Sequence, residues 1–213
     1  GVSKPALAGL WPNKKGVSVV LDLGANIECS DKNLIDFAIM GSSLFKSLFP
    51  EEKSKVGLLN IGSEELKGNE VIKATYQKLN QIVNEDFEFK GFIEGNHIMD
   101  GDADVIVTDG FTGNIALKTA EGTSNFIISE LKKNIKACTL CETDLPYSPK
   151  PIVSFSEKSK ILIVGQAPGI KVHESGIPWN DASGERLREW MQVPKEKFYD
   201  TKYFSIVPMA FCY

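Results

Sequence analysis

The stretch Ala103–Asn114, with the sequence ADVIVTDGFTGN, most constrains the fold. Its first half is apolar and β-branched, which predicts a buried strand that ends at a polar turn with two glycines. An apolar-striped segment, residues 115–131, follows and predicts a helix. In parallel α/β sheets, ligands bind outside the carboxyl ends of the strands. The polar turn is therefore the first place to look for an active site.

The same alternation of strands and helices recurs before this stretch. Apolar runs predict three further strands and two amphipathic helices: strands Val17–Leu23, Val56–Ile61 and Phe87–Ile93, and helices Leu34–Leu48 and Val71–Val83. Ser30 is the expected N-cap of the first helix. Such alternation predicts an α/β fold with a mostly parallel sheet flanked by helices. Polar, glycine-bearing turns end three of the strands, and in a parallel sheet they should share one edge.

The character of the sequence changes after Lys133. Three prolines spaced over residues 146–151 suggest a linker or an extended surface strap. A new buried strand, Ile161–Val164, then ends at a glycine-bearing loop, and a short helix, Glu185–Met191, is expected to follow with Ser183 as its cap. The last segment, Tyr203–Tyr213, reads as a strand. We predict two domains, residues 1–133 and a partial second α/β domain, 134–213.

Charge and composition narrow the function classes. The net charge is −4 and the pI is about 5.4, which gives no general electrostatic footprint for nucleic acid. No apolar run is long enough for a membrane span, and no signal peptide is visible, so we expect a cytoplasmic protein. The sequence begins with Gly and stops inside an expected strand. We therefore expect a chain that is cut at both ends.

Candidate chemistry in the first part centres on an anion. Lys67, followed by Gly68, lies between a strand and a helix, where a lysine supplies a movable positive charge for phosphate. The alternative is an ordinary solvated lysine. Asp109 and Asn114 flank two glycines, and here the alternative is simple turn and cap chemistry. Cys29 is expected to be a small core residue.

Seven stretches of the first part resemble the bacterial phosphate acyltransferases of phospholipid synthesis. The resemblance covers about residues 4 to 131 and is carried by Pro5–Ala8, Asp22–Asn26, Ala38–Ser42, Val56–Gly62, Lys67–Glu70, Ala103–Asn114 and Lys118–Gly122. It implies transfer of an acyl group from acyl carrier protein to inorganic phosphate. It also implies a homodimer with an α/β/α fold like that of phosphotransacetylase and isopropylmalate dehydrogenase, and no cofactor or metal. The segment that carries the family's peripheral membrane association has no match in these residues.

The same resemblance implies roles for individual residues. Lys67 and Asn114 match catalytic positions: Lys67 would hold phosphate, and both would stabilise charge on the thioester oxygen. Asp109 would orient the loop that leads to Asn114. Further positions are implied to bind substrate: Asn26, Gly62, Gly68, Gly110, Thr112 and Gly113.

The second part carries a Cys-x-x-Cys pair, Cys138 and Cys141. On its own this pair fits a metal site, a redox site or a structural role. Three stretches, Ile163–Gly169, Gly176–Trp179 and Ala182–Gly184, resemble iron–sulfur uracil-DNA glycosylases. That resemblance implies a 4Fe-4S cluster, bound by Cys138, Cys141 and Cys212 with a fourth ligand beyond the chain, and implies DNA as a partner.

The glycosylase resemblance also implies a base-binding site and one departure from the family. The implied base-binding residues are Gln166, Pro168, Gly169 and Trp179, with Trp179 stacking on a flipped uracil. Iron–sulfur members place a carboxylate where this chain has Gln166, and an amide cannot accept a proton. Glu174 or Asp181 is the candidate substitute for activating water. Three functions therefore stay open: acyltransferase, DNA glycosylase, or an inactive chimera of both.

Overall fold

A computed structural model describes residues 2–82 and 86–213 of the chain. The chain divides into two compact units, Gly1–Glu121 and Gly122–Tyr213. The expected end of the second helix, Val83, lies outside the described residues.

A five-stranded sheet forms the centre of the first unit. Its strands are β1 (Gly9–Asn13), β2 (Gly16–Leu21), β3 (Ser54–Asn60), β4 (Phe87–Glu94) and β5 (Val105–Val107). Their order across the sheet is β1-β2-β5-β3-β4, and only β1 pairs antiparallel to its neighbour. The predicted α/β class with a mostly parallel sheet is confirmed. Strand β1 escaped prediction because its sequence, GLWPN, lacks alternation and contains a proline, which suits the edge position it occupies.

Three helices accompany this sheet: α1 (Asp31–Leu48), α2 (Glu70–Gln81) and α3 (Gly110–Lys136), with a 3-10 helix at Gly95–Asp100 between β4 and β5. Ser30 caps α1 as predicted, in a capping box with Asn33. Helix α3 begins earlier than the predicted Ile115 because Asp109 caps it and two glycines form part of its first turn.

The core of the first unit lies on both faces of the sheet. Along β2, Val19 and Leu21 belong to a cluster with α1 and α2, whereas Val20 belongs to a second cluster that the side chains of α3 join. Neighbouring strand residues point to opposite faces, so a strand covered on both sides is apolar at consecutive positions, as Val19, Val20 and Leu21 are. This packing fixes the strand ends, and therefore the loops that follow them.

The second unit contains a two-stranded parallel sheet, β6 (Ile161–Gly165) and β7 (Phe204–Pro208). Three short helices lie between these strands: α4 (Ile170–Ser175), α5 (Ala182–Met191) and α6 (Lys195–Phe198). The predicted final strand ends at Pro208 and does not continue to Tyr213. The predicted cap of α5 was wrong. Asp181 is the N-cap, since its carboxylate accepts a hydrogen bond from the Gly184 N–H at 2.9 Å.

Within the part of the chain that the structure describes, none of the helices combines the length and the apolar character that crossing a membrane requires.

Candidate functional site

The polar strand ends of the first unit are neighbours. Strand β5 lies between β2 and β3, and all three run in the same direction. The turns that follow them therefore meet at one edge of the sheet, as the sequence predicted. Helices α2 and α3 both begin at this edge, so the positive ends of their dipoles point towards it.

A groove lies between the starts of α2 and α3. It consists of two adjoining cavities of about 570 and 430 Å³. Residues common to both cavities are Asn69, Ile72, Asp109 and Thr112. Gly68 lines the second cavity, so three residues predicted from the resemblance, Gly68, Asp109 and Thr112, share one groove.

The first turn of α3 packs directly on the loop after β2. A Cβ at Gly113 would lie 1.9 Å from the Asp22 carbonyl oxygen, and one at Gly110 would lie 2.5 Å from the Asn26 carbonyl oxygen. The Gly110 N–H donates to that Asn26 oxygen at 2.9 Å. Gly110 and Gly113 were predicted to bind substrate. In the structure these two glycines allow α3 to pack closely on the loop after β2, because no side chain fits between the helix and the loop.

Asp109 acts as the cap of α3. Its carboxylate accepts hydrogen bonds from the Thr112 N–H at 2.8 Å and from the Thr112 hydroxyl at 2.9 Å. This is the cap chemistry considered as the alternative for Asp109. The same contacts hold Asp109 and Thr112 at the groove, so capping and a place in the site are compatible.

Asn114 is an exposed residue on the first turns of α3. Its side-chain N–H donates to the Leu23 carbonyl oxygen at 3.3 Å, which ties it to the loop after β2. An amide carries two N–H groups, so a second donor remains for a ligand. Among the described residues, Asn114 does not line either cavity of the groove.

Lys67 lies in the loop between β3 and α2, and its side chain is exposed. The backbone of this loop is held by Asn60, whose side-chain amide donates to the carbonyl oxygens of Gly62 and Lys67. Gly68 has a φ of 93°, in the left-handed region that favours glycine. No hydrogen bond or ion pair of the Lys67 ammonium is found among the residues described here. The loop backbone is thus ordered by internal contacts, while the cation remains available to an anion.

The structure adds a residue that the sequence analysis passed over, Asp22. Its carboxylate is fully buried at the end of β2 and accepts hydrogen bonds from the backbone N–H groups of Leu7, Gly24, Ala25 and Asn26. Burial raises the pKa of Asp22, but these bonds and that from the Asn26 side chain outweigh it and hold the pKa below its ordinary value. An Asp directly before a glycine-bearing turn was the available sequence signal.

The side-chain amide of Asn26, which was predicted to bind substrate, donates hydrogen bonds to other groups of the protein. Its side-chain N–H groups donate to the Asp22 carboxylate at 2.7 Å and to the Pro5 carbonyl oxygen at 2.6 Å. Both donors of the amide are therefore used. Its place in the structure is that of a loop-stabilising residue.

The lowered pKa of Asp22 predicts acid sensitivity of the first unit. A carboxyl whose folded-state pKa is depressed contributes stability that is complete above the ordinary value of 3.8 and is lost as the pH falls through the folded-state pKa. We expect the difference in Tm between wild type and Asp22→Asn to be largest at neutral pH and to narrow below pH 3.8. Thermal unfolding followed by circular dichroism across pH 2–7 measures it. A difference that stays constant over this range would contradict the assignment.

Cys29 lines the groove as well as packing against the core. Burial raises the pKa of its thiol, while the Gly110 N–H and the Lys4 charge lower it to a smaller extent. At neutral pH this thiol is therefore protonated and a poor nucleophile. Cys29 packs against the core, as predicted, and it also contributes to the wall of the groove.

The second unit has a cavity of its own at the carboxyl ends of β6 and β7. Its volume is about 220 Å³. All four predicted base-binding residues line it: Gln166, Pro168, Gly169 and Trp179. Asp181 also lines the cavity, whereas Glu174 is not among its lining residues in the described chain.

Trp179 is held in an unusual backbone conformation beside this cavity. Its φ is 56°, which is uncommon for a residue with a side chain. The Tyr199 hydroxyl and the Arg188 guanidinium donate to its carbonyl oxygen at 3.1 and 3.3 Å. A Cβ at Gly165 would lie 3.2 Å from the indole nitrogen, so the ring lies against the end of β6. The contacts around Trp179 set the position of its ring.

The cysteines predicted to bind a cluster are all free thiols, as is Cys29. Among residues 2–82 and 86–213, no group of three His, Cys, Asp or Glu side chains is arranged to hold a metal ion. Cys138, Cys141 and Cys212 as placed here therefore do not fit an iron–sulfur cluster. The cluster stays a prediction of the sequence resemblance.

Comparison with known proteins gives the first unit its family. A family model described as fatty acid synthesis protein matches residues 1–145, more than half of the chain. The chain belongs to this family. A second model, that of the uracil DNA glycosylase superfamily, matches residues 153–210. The first match extends beyond Lys133 and covers Cys138 and Cys141, whereas the second lies wholly within the predicted second part.

The chain is similar to curated proteins named phosphate acyltransferase. The protein from Pelagibacter ubique is 77% identical over 132 residues, which cover 62% of this chain and 40% of the relative. The protein from Maricaulis maris is 47% identical over 142 residues, which cover 67% of this chain and 40% of the relative. That from Bartonella bacilliformis is 50% identical over 134 residues, 63% of this chain and 38% of the relative. The chain thus spans about two fifths of the length of these relatives.

Proposed function

We propose that this chain is a phosphate acyltransferase, which forms an acyl phosphate from acyl-[acyl carrier protein] and inorganic phosphate in phospholipid synthesis. The observation that carries the proposal is the 77% identity over 132 residues to a protein named phosphate acyltransferase, together with the family match over residues 1–145, which include every residue that lines the groove. The proposed partners are acyl carrier protein, phosphate and a second copy of this chain. The proposed location is the cytoplasm.

The groove has the chemistry that phosphate requires. The starts of α2 and α3 lie at its two sides, and the positive ends of the two helix dipoles favour an anion there. The Lys67 ammonium lies in the loop that leads into α2 and would supply the countercharge. Phosphate needs no activation by a metal in this scheme, because it is itself the nucleophile.

The acyl-transfer step can be written with these groups. A phosphate oxygen attacks the thioester carbon, a C–O bond forms and the C–S bond breaks. The carrier thiolate leaves and takes the proton of hydrogen phosphate, so acyl phosphate and free thiol are the products. Negative charge develops on the thioester oxygen, where Lys67 and the second N–H of Asn114 would stabilise it.

The rim of the groove suits an acyl chain. Ile61 and Phe111, which line it, are 81% and 60% exposed, and the apolar Ile115 lies on the same helix as Phe111. Apolar side chains exposed beside a polar strand end match a substrate that has an apolar tail and a polar reacting group. We infer that the tail lies along this rim while the thioester faces the helix starts.

The test is direct measurement of acyl phosphate. The purified chain is incubated with acyl-[acyl carrier protein] and phosphate, and acyl phosphate is trapped with hydroxylamine. Product formation that depends on both substrates and is lost in Lys67→Met supports the proposal. A folded chain that binds the acyl carrier protein but forms no product would overturn it.

A second candidate function belongs to the second unit. We propose uracil-DNA glycosylase chemistry there, because Gln166, Pro168, Gly169 and Trp179 line one cavity and residues 153–210 match the glycosylase superfamily. In this scheme Trp179 stacks on the flipped base. The carboxylate that activates water is Asp181, since it lines the cavity. Water adds to the sugar carbon, the bond to the base breaks, and uracil leaves with the proton that water gave up.

Release of uracil from single-stranded DNA distinguishes this candidate from the first. Activity that is lost in Trp179→Ala and in Asp181→Asn supports it. Visible absorbance near 400 nm after anaerobic reconstitution with iron and sulfide would reveal a cluster, and a colourless chain would argue against one. If neither acyl phosphate nor uracil is formed by the folded chain, it is an inactive chimera.

A further inference from the structure

The buried carboxylate of Asp22 joins the loop that follows it, residues 23–26, to Leu7 of an earlier segment. It accepts five hydrogen bonds: from the N–H groups of Leu7, Gly24, Ala25 and Asn26 at 2.8–3.1 Å, and from the Asn26 side chain at 2.7 Å. An ionised carboxylate is an acceptor at every lone pair, so it can satisfy this many donors. The resemblance gave Asp22 no role in the site.

The loop that Asp22 shapes is also the contact surface for the proposed catalytic helix. Asn114 donates from its side chain to the Leu23 carbonyl oxygen at 3.3 Å. A Cβ at Gly24 would lie 3.1 Å from the same Asn114 nitrogen. One of the two amide donors of Asn114 is therefore directed by the loop of residues 23–26. The direction of the second N–H follows, because an amide group is planar.

We propose that Asp22 is a positioning residue, which acts through the loop of residues 23–26 to aim the free N–H of Asn114 at the reacting thioester. The inference rests on the proposed acyltransferase function. Asp22 does not itself line either cavity of the groove in the part of the chain that the structure describes. Its effect on the reaction is therefore exerted through Asn114.

Asp22→Asn is the variant that tests this role. An amide at this position would turn an NH₂ group towards backbone N–H donors, so the loop must change shape. Displacement of a catalytic donor by about 1 Å is enough to lower a rate about 100-fold. We expect kcat for acyl phosphate formation to fall between about 10- and 100-fold, with a smaller change in KM for phosphate.

A double-mutant cycle separates positioning from general structural support. If Asp22 acts through Asn114, Asp22→Asn lowers kcat in the wild-type background and has little further effect in an Asn114→Ala background. If the two effects simply multiply, the proposal is overturned. Asp102→Asn serves as the control, because Asp102 is an exposed carboxylate paired with Lys15 at the opposite edge of the sheet.

A measurement without catalysis keeps the test independent of the proposed function. The side-chain amide resonances of Asn114 are followed by ¹⁵N–¹H NMR in Asp22→Asn and in the milder Asn26→Ala, which removes one of the five hydrogen bonds. We expect these resonances to shift in both variants and to stay in place in Asp102→Asn. Unchanged Asn114 resonances in both variants would overturn the positioning role. A wild type that forms no acyl phosphate, with shifted resonances in the variants, would overturn the function and leave the coupling standing.

Discussion

Replacing Lys67 by Met is expected to lower kcat/KM for acyl phosphate formation by about 100- to 1,000-fold, the usual effect of removing one electrostatic contact to a reacting oxygen. Methionine keeps the length and the apolar stem of the side chain and removes only the charge. The loop backbone should not change, because Asn60 and the Glu64 carbonyl oxygen hold it through main-chain atoms. Initial rates at varied phosphate, with hydroxylamine trapping, measure the effect.

Lys53→Met is the matched control. Lys53 is also exposed but precedes β3, at the amino end of the strand, whereas Lys67 follows its carboxyl end. A variant at Lys53 should keep the wild-type rate and the wild-type KM for phosphate. Equal losses at both positions would mean that the net charge of the surface matters and that Lys67 has no specific role. A rise in KM alone would assign Lys67 to phosphate binding and not to the transition state.

Elements with strong periodicity were predictable from the sequence. Helix α1 has a capping Ser30 and apolar residues at helical spacing, so its two ends and its buried face followed directly. The central residues of three strands, Val19–Leu21 of β2, Leu58 and Leu59 of β3 and Val105–Val107 of β5, are apolar at consecutive positions because both faces of the sheet are covered. Their polar ends converge because parallel strands end at the same edge. The location of the groove could thus be predicted without any contact being known.

The hydrogen bonds and packing contacts within the site could not be predicted in the same way. Asn26, Gly110 and Gly113 were assigned to substrate by resemblance, and the structure uses them for packing one loop against one helix. A sequence motif records which residues occur together, and it does not separate those that touch a ligand from those that hold the site in shape. Only the contacts of Asp22 reveal that the loop is organised around a buried carboxylate.

In the second unit, the cap of α5 illustrates a different limit. Asp181 and Ser183 are both good N-cap residues and lie two positions apart, so local preference does not choose between them. The choice is made by packing, since a Cβ at Gly184 would lie 1.8 Å from the Trp179 carbonyl oxygen. This close approach holds Gly184 in the first turn of α5, where its N–H donates to the Asp181 carboxylate at 2.9 Å and makes Asp181 the cap.

Gly113→Ala is the stability variant with the largest expected effect. The new methyl would lie 1.9 Å from the Asp22 carbonyl oxygen and 2.9 Å from the Thr108 side chain. The first of these is backbone at the end of a central strand and cannot move aside as a flexible side chain would. Helix α3 must therefore shift away from the sheet, and we expect a loss of about 3 kcal/mol or more in unfolding free energy. Urea denaturation followed by circular dichroism measures it.

Gly122→Ala, on the same helix, is expected to increase stability. No atom lies within 4 Å of the position that its Cβ would take, so the methyl meets open space. Alanine restricts the unfolded chain more than glycine does. The unfolding free energy of this variant should therefore rise by about 0.5–1 kcal/mol. Helix propensity alone would make both substitutions stabilising. If Gly113→Ala lowers the unfolding free energy and Gly122→Ala raises it, helix propensity is not the cause of the difference. The contact between the start of α3 and the loop after β2 then makes glycine necessary at position 113.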